Sequence, residues 1–284
     1  MQLLDGKKVS EEIYKKLQVR IVALKKKNIH PRLALILVGE DPASLSYVKQ
    51  KRKVSQLLGI ETDFCHYSPT EVGTEILIAK IKKLSLDSKI HGILVQLPLP
   101  KNVCTPLIIK NIDPKKDVDG FTAYNLGKMF ISTEFESFVP CTPLGVIRLL
   151  EYYKIDIVGK EVVMVGASNI VGKPLAIMLL NRRATVTICH KDTKRLSDHT
   201  KRADILLVAV GKSCLIGKDM VKKGAVVIDI GINRNEKGKI VGDVDFAKVA
   251  PITSYITPVP GGCGPMTVAC LMENVVKAAE NISQ

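Results

Sequence analysis

Val162-Val-Met-Val165 runs directly into Gly166-Ala-Ser-Asn-Ile-Val-Gly172, and Lys173-Pro-Leu-Ala-Ile-Met-Leu-Leu180 follows. An apolar run, a turn of small residues and a longer apolar stretch read as strand, tight turn and helix. Gly166 permits the turn, Ser168 is small enough for a phosphate to approach the backbone, and Gly172 lets the helix close on the strand. The start of such a helix offers free N–H groups and a positive dipole end to an anion. The spacing is G-x-S-x-x-x-G rather than G-x-G-x-x-G, so a plain strand–helix turn stays open as an alternative. The next strand, Ala184-Thr-Val-Thr-Ile-Cys189, falls where the second strand of a nucleotide-binding unit belongs. Its tip reads His190-Lys191-Asp192, with Lys194 and Arg195 beyond. A cation there favours the 2′-phosphate of NADP and an acid the 2′-hydroxyl of NAD. Lys191 comes first and the cluster is net basic, which favours NADP. Asp192 keeps NAD open, and loop charges in water are the plainer alternative.

Outward from this turn, short apolar runs alternate with helical stretches. Downstream, strands are expected at 161–165, 184–189, 204–210, 225–230 and 254–258, with a last helix from Thr267 to about Ala279. Upstream, Ser10–Lys27 reads as an amphipathic helix and Leu33–Val38 as a strand buried on both faces. Asp41-Pro42 opens a second helix. A strand over Ile60–Tyr67, a helix over Val72–Leu86 and a strand over Gly92–Gln96 complete a βαβ series. Asn111–Pro140 is poorer in periodicity, holds Pro114, Gly120, Gly127 and Pro140, and reads as the end of the first domain and the crossover. The expected fold is α/β, with two α/β domains built on parallel sheets. They span residues 1–138 and 139–266, the second of Rossmann type, and a final helix, 267–284, packs back on the first.

The chain has 284 residues, 46% of them hydrophobic, which excludes a disordered polymer. No apolar run reaches the roughly 18 residues of a membrane span, and the first ten residues lack a secretory-signal pattern. A cytoplasmic protein without a membrane partner is expected. The net charge of +14 raises the question of a nucleic-acid partner. Lys25–Lys27, Lys82-Lys83, Arg182-Arg183 and Lys222-Lys223 are scattered at helical spacing, Trp is absent, and aromatics are 5%. These charges read as solvated helix faces, and a basic α/β nucleic-acid module remains the alternative from another class. Seven cysteines form no C-x-x-C pair, so reduced thiols and no metal site are expected. Asp117-Val-Asp119-Gly120 falls short of a calcium loop, with Lys115 at its first ligand position.

Tyr47 and Lys51 are four residues apart and share one face of the second predicted helix, which follows the carboxyl end of a strand. A lysine drawn into an apolar cleft can act as a base near neutrality, although a snorkelling surface lysine is commoner. Gln96 ends a strand ahead of two prolines, where it can orient a lysine or cap a loop. Asp119 can accept hydrogen bonds from an amino-heterocycle or form an Asx turn. Pro258-Val-Pro-Gly-Gly-Cys-Gly-Pro265 is a rigid turn able to bring backbone close to a ligand.

With Tyr47-Val-Lys-Gln-Lys51, Val95-Gln-Leu-Pro-Leu-Pro100, Asp117-Val-Asp-Gly-Phe121 and Pro258–Thr267 in that order, the chain resembles the bifunctional methylenetetrahydrofolate dehydrogenase/methenyltetrahydrofolate cyclohydrolase family. Gly166–Pro174 and Gly231-Ile-Asn233 extend the resemblance over essentially the whole chain. It implies that NADP⁺ oxidises 5,10-methylenetetrahydrofolate, and that water opens the methenyl product to 10-formyltetrahydrofolate, in one cleft between the domains. It makes Lys51 the catalytic lysine, Gln96 the residue that tunes it, Tyr47 the ring packed on the folate, and Asp119 the pterin anchor. Val95, Leu97, Pro260, Gly261 and Gly262 then line the substrate. Gly166, Ala167, Ser168, Val171, Gly172, His190, Lys191 and Ile232 line the cofactor. Ala167 stands where the family commonly has an arginine, and Lys191 where it commonly has serine, so NADP is expected with NAD open. The resemblance further implies a cytoplasmic homodimer in one-carbon metabolism and purine biosynthesis. A dehydrogenase with little cyclohydrolase activity is the alternative within this reading.

Overall fold

In the computed structural model, which describes residues 1–282, the chain opens with β1 (Gln2–Leu3) and α1 (Gly6–Lys26). Then β2 (Arg32–Val38), α2 (Pro42–Leu58), β3 (Glu61–Tyr67), α3 (Thr74–Leu86) and β4 (Gly92–Val95) alternate, followed by α4 (Thr105–Lys110), α5 (Ala123–Ile131) and α6 (Cys141–Tyr152). The second alternation is β5 (Glu161–Val165), α7 (Gly172–Asn181), β6 (Thr185–Cys189), α8 (Leu196–Thr200), β7 (Ile205–Val208) and β8 (Val226–Asp229). It ends with the hairpin β9 (Asn233–Arg234) and β10 (Ile240–Val241), then α9 (Phe246–Val249), β11 (Tyr255–Ile256) and α10 (Cys263–Ile282). Two units result.

One unit comprises Glu12–Lys128, Glu136–Cys141 and the chain from Val268, around a three-stranded parallel sheet ordered β3-β2-β4. β2 is the middle strand, and Leu33 to Val38 are all buried, as an unbroken apolar run requires. Ile36 pairs with both Cys65 and Val95. α2 begins where the Asp41 carboxylate accepts the Ser44 N–H at 2.8 Å, with Pro42 in the first turn, and stops at Gly59 with φ 72°. On the outer side of β4, the Ile93 N–H donates to Lys116 O at 2.8 Å, which carries residues 117–119 to the tip of the sheet. From α10, Asn274 Nδ2 donates to Val118 O (2.8 Å) and Lys277 Nζ to Ser137 O (2.8 Å).

The other unit comprises Met1–Glu11, Met129–Phe135 and Thr142–Thr267, around a six-stranded sheet ordered β1-β11-β8-β7-β5-β6. All its strand pairs are parallel. The chain leaves β5 for β6 on one side and returns to β7 on the other, so strand order reverses between β5 and β7. Ligands of open α/β sheets bind outside the carboxyl ends of the strands at such a point.

Several boundaries differ from the sequence reading. Residues 1–11 group with the six-stranded unit rather than with a domain 1–138, because Gln2 and Leu3 pair with Tyr255 and Ile256. Asn111–Pro140 holds a helix, α5, which the Asp117 carboxylate nucleates by accepting the N–H groups of Gly120, Phe121 and Thr122 and the Asn125 amide. Gly127 and the exposed Tyr124, Phe130 and Ile131 blur its apolar face. α10 starts at Cys263, ahead of Thr267, and Ser283 and Gln284 of the expected 267–284 helix lie outside the described residues.

The basic pairs named above are largely solvent-exposed. Among the described residues only Lys51 and Lys116 are buried lysines. Lys116 Nζ donates to Leu84 O and Asp87 O at the end of α3, and its burial lowers its pKa. No helix is long and apolar enough to cross a membrane, among the described residues.

Candidate active site

Lys51 lies on the buried face of α2 with Val48, Ser55 and Leu58, at the alternating three- and four-residue steps of a core-facing stripe. Only 6% of it is exposed. Its Nζ donates to Gln96 Oε1 at 3.0 Å. Gln96 sits one residue past β4, where its N–H donates to Ile36 O at 2.8 Å. Its Nε2 donates to Leu97 O at 2.7 Å, which aims the amide oxygen at Lys51. Val95 is buried and Leu97 half-buried, and the Leu97–Pro98 peptide is cis. Tyr47, half-buried, is one turn before Lys51 on α2.

Asp119 shares this neighbourhood. Burial raises the pKa of its half-buried carboxyl, the charge of Lys51 lowers it, Asp117 raises it further, and a hydrogen bond with Cys141 lowers it. The loop beneath it is tightly fixed. Cys141 Sγ donates to Val118 O at 3.2 Å, alongside Asn274. Gly120 has φ 72°, and a Cβ there would lie 2.5 Å from the Val139 carbonyl carbon. The three-stranded unit therefore gathers an amine, an amide, a carboxyl and a phenol. They can hold or move a proton at Nζ and anchor an amino-heterocycle. Cys141 and Asn274 carried no sequence signal, because each acts through Val118, far away in sequence.

In the six-stranded unit the glycine turn occupies the reversal point of the sheet. Gly166 has φ 122°, and a Cβ on it would meet Ala209 O at 2.2 Å. A Cβ on Gly172 would lie 1.9 Å from Gly166 O, so only hydrogen fits between helix and turn. Ser168 Oγ accepts the N–H groups of Val171 (3.2 Å) and Gly172 (3.4 Å) at the start of α7. Ala167 offers no polar side chain. Past β6, the His190 N–H donates to Thr193 Oγ1 (2.9 Å) and the Asp192 N–H to His190 Nδ1 (3.2 Å), leaving Lys191 exposed on the turn. Ile232 is 44% exposed beside Gly231. The first N–H groups of α7 are already taken, Gly172 by Ser168 Oγ and Lys173 by Ser168 O (3.0 Å), and Pro174 has none. It is therefore the glycines without room for a side chain and the small residues of the turn that suit a dinucleotide.

Pro260, Gly261 and Gly262 also belong to this unit, whereas Lys51, Gln96, Asp119 and Tyr47 belong to the other. The Gly262 N–H donates to Pro258 O (2.9 Å), and Gly261 O accepts the Lys7 N–H (3.1 Å). Two buried carboxylates, Asp229 and Asp243, escaped the sequence reading. Their only local signals are an acid closing the apolar strand Val226–Asp229 and an acid after Gly242. All seven cysteines are free, and no group of three His, Cys, Asp or Glu among the described residues could hold a metal ion.

A glycine turn at the reversal point of a doubly wound sheet defines a Rossmann-type domain, and the chain as a two-domain α/β protein. Residues 140–283 match the family model of the tetrahydrofolate dehydrogenase/cyclohydrolase NAD(P)-binding domain, and residues 4–119 that of the catalytic domain. The chain belongs to the tetrahydrofolate dehydrogenase/cyclohydrolase family. It is 54% identical over 284 residues to the bifunctional protein FolD of Nautilia profundicola, covering 100% of this chain and 99% of that one. The crystal structure of the bifunctional FolD of Campylobacter jejuni superposes with a TM-score of 0.96 at 52% identity, covering 99% of each chain. A Trypanosoma brucei relative, whose structure is a complex with NADP and an inhibitor, superposes at 0.95 and 33% identity, covering 99% of this chain and 97% of that one.

Proposed function

We propose that the protein oxidises 5,10-methylenetetrahydrofolate to the 5,10-methenyl cation with NADP⁺ and hydrolyses that cation to 10-formyltetrahydrofolate. The observation that carries this reading is the buried Lys51 bonded to Gln96, with the Asp119 carboxyl within its field. In hydrolysis, water adds to the methenyl carbon and gives a proton to Lys51 Nζ. The bond from that carbon to N5 then breaks, N5 takes a proton, and the hydroxyl loses its own to become the formyl oxygen on N10. One proton is released overall. Gln96 keeps Nζ on its bearing, Asp119 accepts N–H groups of the pterin, and Tyr47 packs against its ring.

Gly166, Ala167, Ser168, Val171, Gly172, His190, Lys191 and Ile232 would hold the dinucleotide. Bound there, the cofactor supplies a hydride acceptor. With Ala167 unable to meet a 2′-phosphate, the exposed Lys191 is the cation that reads it. The same reading makes the protein a cytoplasmic homodimer that serves one-carbon metabolism and purine synthesis. β3 supports the dimer, since it is an open sheet edge beside a groove of about 1020 Å³ lined by Arg52 and Phe64.

The test supplies methylenetetrahydrofolate with NADP⁺ or NAD⁺ and follows the methenyl absorbance and the reduced cofactor together. Reduced NADP with little methenyl accumulation is expected, along with a loss of NADP⁺ preference in Lys191→Ala. Accumulating methenyl product would favour a dehydrogenase without hydrolysis. An unchanged preference would remove Lys191 from its role.

A further inference from the structure

Asp243 is fully buried in the six-stranded unit, and its carboxylate receives four N–H groups from two separate segments. Oδ2 accepts the backbone N–H of Val210 (2.6 Å) and of Gly211 (3.1 Å). Oδ1 accepts the Lys212 N–H (2.8 Å) and Asn233 Nδ2 (2.9 Å). The first segment leaves β7 and the second follows β8. Both stand at the carboxyl edge of the sheet. Ala209, at the root of the first segment, is the residue whose carbonyl a Cβ on Gly166 would strike. Asn233 is the immediate neighbour of the exposed Ile232.

Asp229 supports this carboxylate from below. It accepts the Gly231 and Asp243 N–H groups at 3.0 Å each and the Val244 N–H at 2.9 Å. Such nesting needs two glycines. A Cβ on Gly231 would lie 2.1 Å from Asp243 Cγ, and one on Gly242 would lie 1.8 Å from Asp229 Oδ2. A buried carboxylate without donors is costly, and one saturated with donors is rigid and directional. The fold has therefore spent a buried charge on fixing two loops that no strand pairing joins.

We propose that Asp243 is the positioning residue of the dinucleotide site. It holds Val210–Lys212 and Ile232–Asn233 in the fixed arrangement that frames the Gly166 turn. It touches no reacting atom and acts through those two backbone segments. The proposal rests on the reading that a dinucleotide binds at Gly166–Gly172.

The hydrolysis of added methenyltetrahydrofolate needs no dinucleotide, which gives the test an internal control. In Asp243→Asn an amide NH₂ replaces one acceptor and faces N–H donors. The dissociation constant of NADP⁺, measured by titration calorimetry, should rise about tenfold or more, while cofactor-free hydrolysis stays within about twofold of wild type. Asn233→Ala removes a single half-buried donor and should weaken NADP⁺ several-fold on its own, which decides the matter if Asp243→Asn does not fold. Unchanged NADP⁺ affinity in either soluble variant would overturn the proposal, as would a parallel fall of hydrolysis and binding. Wild-type protein that binds neither NADP⁺ nor NAD⁺ would instead overturn the cofactor reading on which it stands.

Discussion

Asp229→Asn turns the buried carboxylate pair into a measurable pH effect. Asp229 is 3% exposed, and burial pushes its pKa up from 3.8 to about 6. The N–H groups of Val244, Asp243 and Gly231 oppose the rise, and the charge of Asp243 adds to it. A carboxyl whose pKa is higher in the folded state contributes stability that is complete below its unfolded pKa. As pH climbs, the unfolded chain ionises first, and the contribution disappears as the folded group ionises near pH 6. At about 1.4 kcal/mol per tenfold, the rise from 3.8 to about 6 corresponds to about 3 kcal/mol. About 2.5 kcal/mol of that falls between about pH 4 and about pH 7.5. Asparagine does not titrate, so the wild-type advantage over Asp229→Asn should shrink by this amount across that interval. Urea unfolding followed by far-ultraviolet circular dichroism measures it. The carboxyls held low by their partners, Asp41, Glu61, Asp204 and Asp245, pull the other way, but both proteins contain them and they cancel. A stability difference that stays flat with pH would refute the reasoning.

Gln96→Met keeps the side-chain length but strips the buried Lys51 amine of its acceptor. Losing such a partner costs about 1–3 kcal/mol, so cofactor-free methenyl hydrolysis should slow roughly 5- to 150-fold with NADP⁺ affinity intact; a wild-type rate would contradict this. Gly120→Ala forces a Cβ into left-handed backbone at φ 72° and within 2.5 Å of Val139. About 1–2 kcal/mol of backbone strain and about 1–3 kcal/mol of overpacking should lower the unfolding free energy by roughly 2–5 kcal/mol, and a loss below about 1 kcal/mol in urea would count against it.

Local periodicity made much of the fold legible. The Leu33–Val38 run, the Gly166–Gly172 turn and the strand–helix alternation all express spacing within about twenty residues. β1 was invisible, because two residues have no period and its partner, β11, lies at the other end of the chain. The spacing of Tyr47 and Lys51 placed both on one helix face. That Lys51 points inward and meets Gln96, 45 residues on, depends on how α2 packs in the fold, which no single segment encodes. Asp243 was hidden for the same reason, since its donors come from residues 210–212 and 233. Its charge reads as a surface charge until those loops close over it. The +14 balance resolves largely into exposed lysines, and nothing in the structure explains why there are so many.

If Lys51 moves the proton that hydrolysis requires, the step must fail without its amine. Lys51→Met removes the amine and fills the same buried volume with an apolar chain of similar length. Stopped-flow decay of methenyltetrahydrofolate absorbance without cofactor reads that step alone. Its rate should fall roughly 100-fold or more, with the dissociation constant of NADP⁺ unchanged. Decay at the wild-type rate would contradict it.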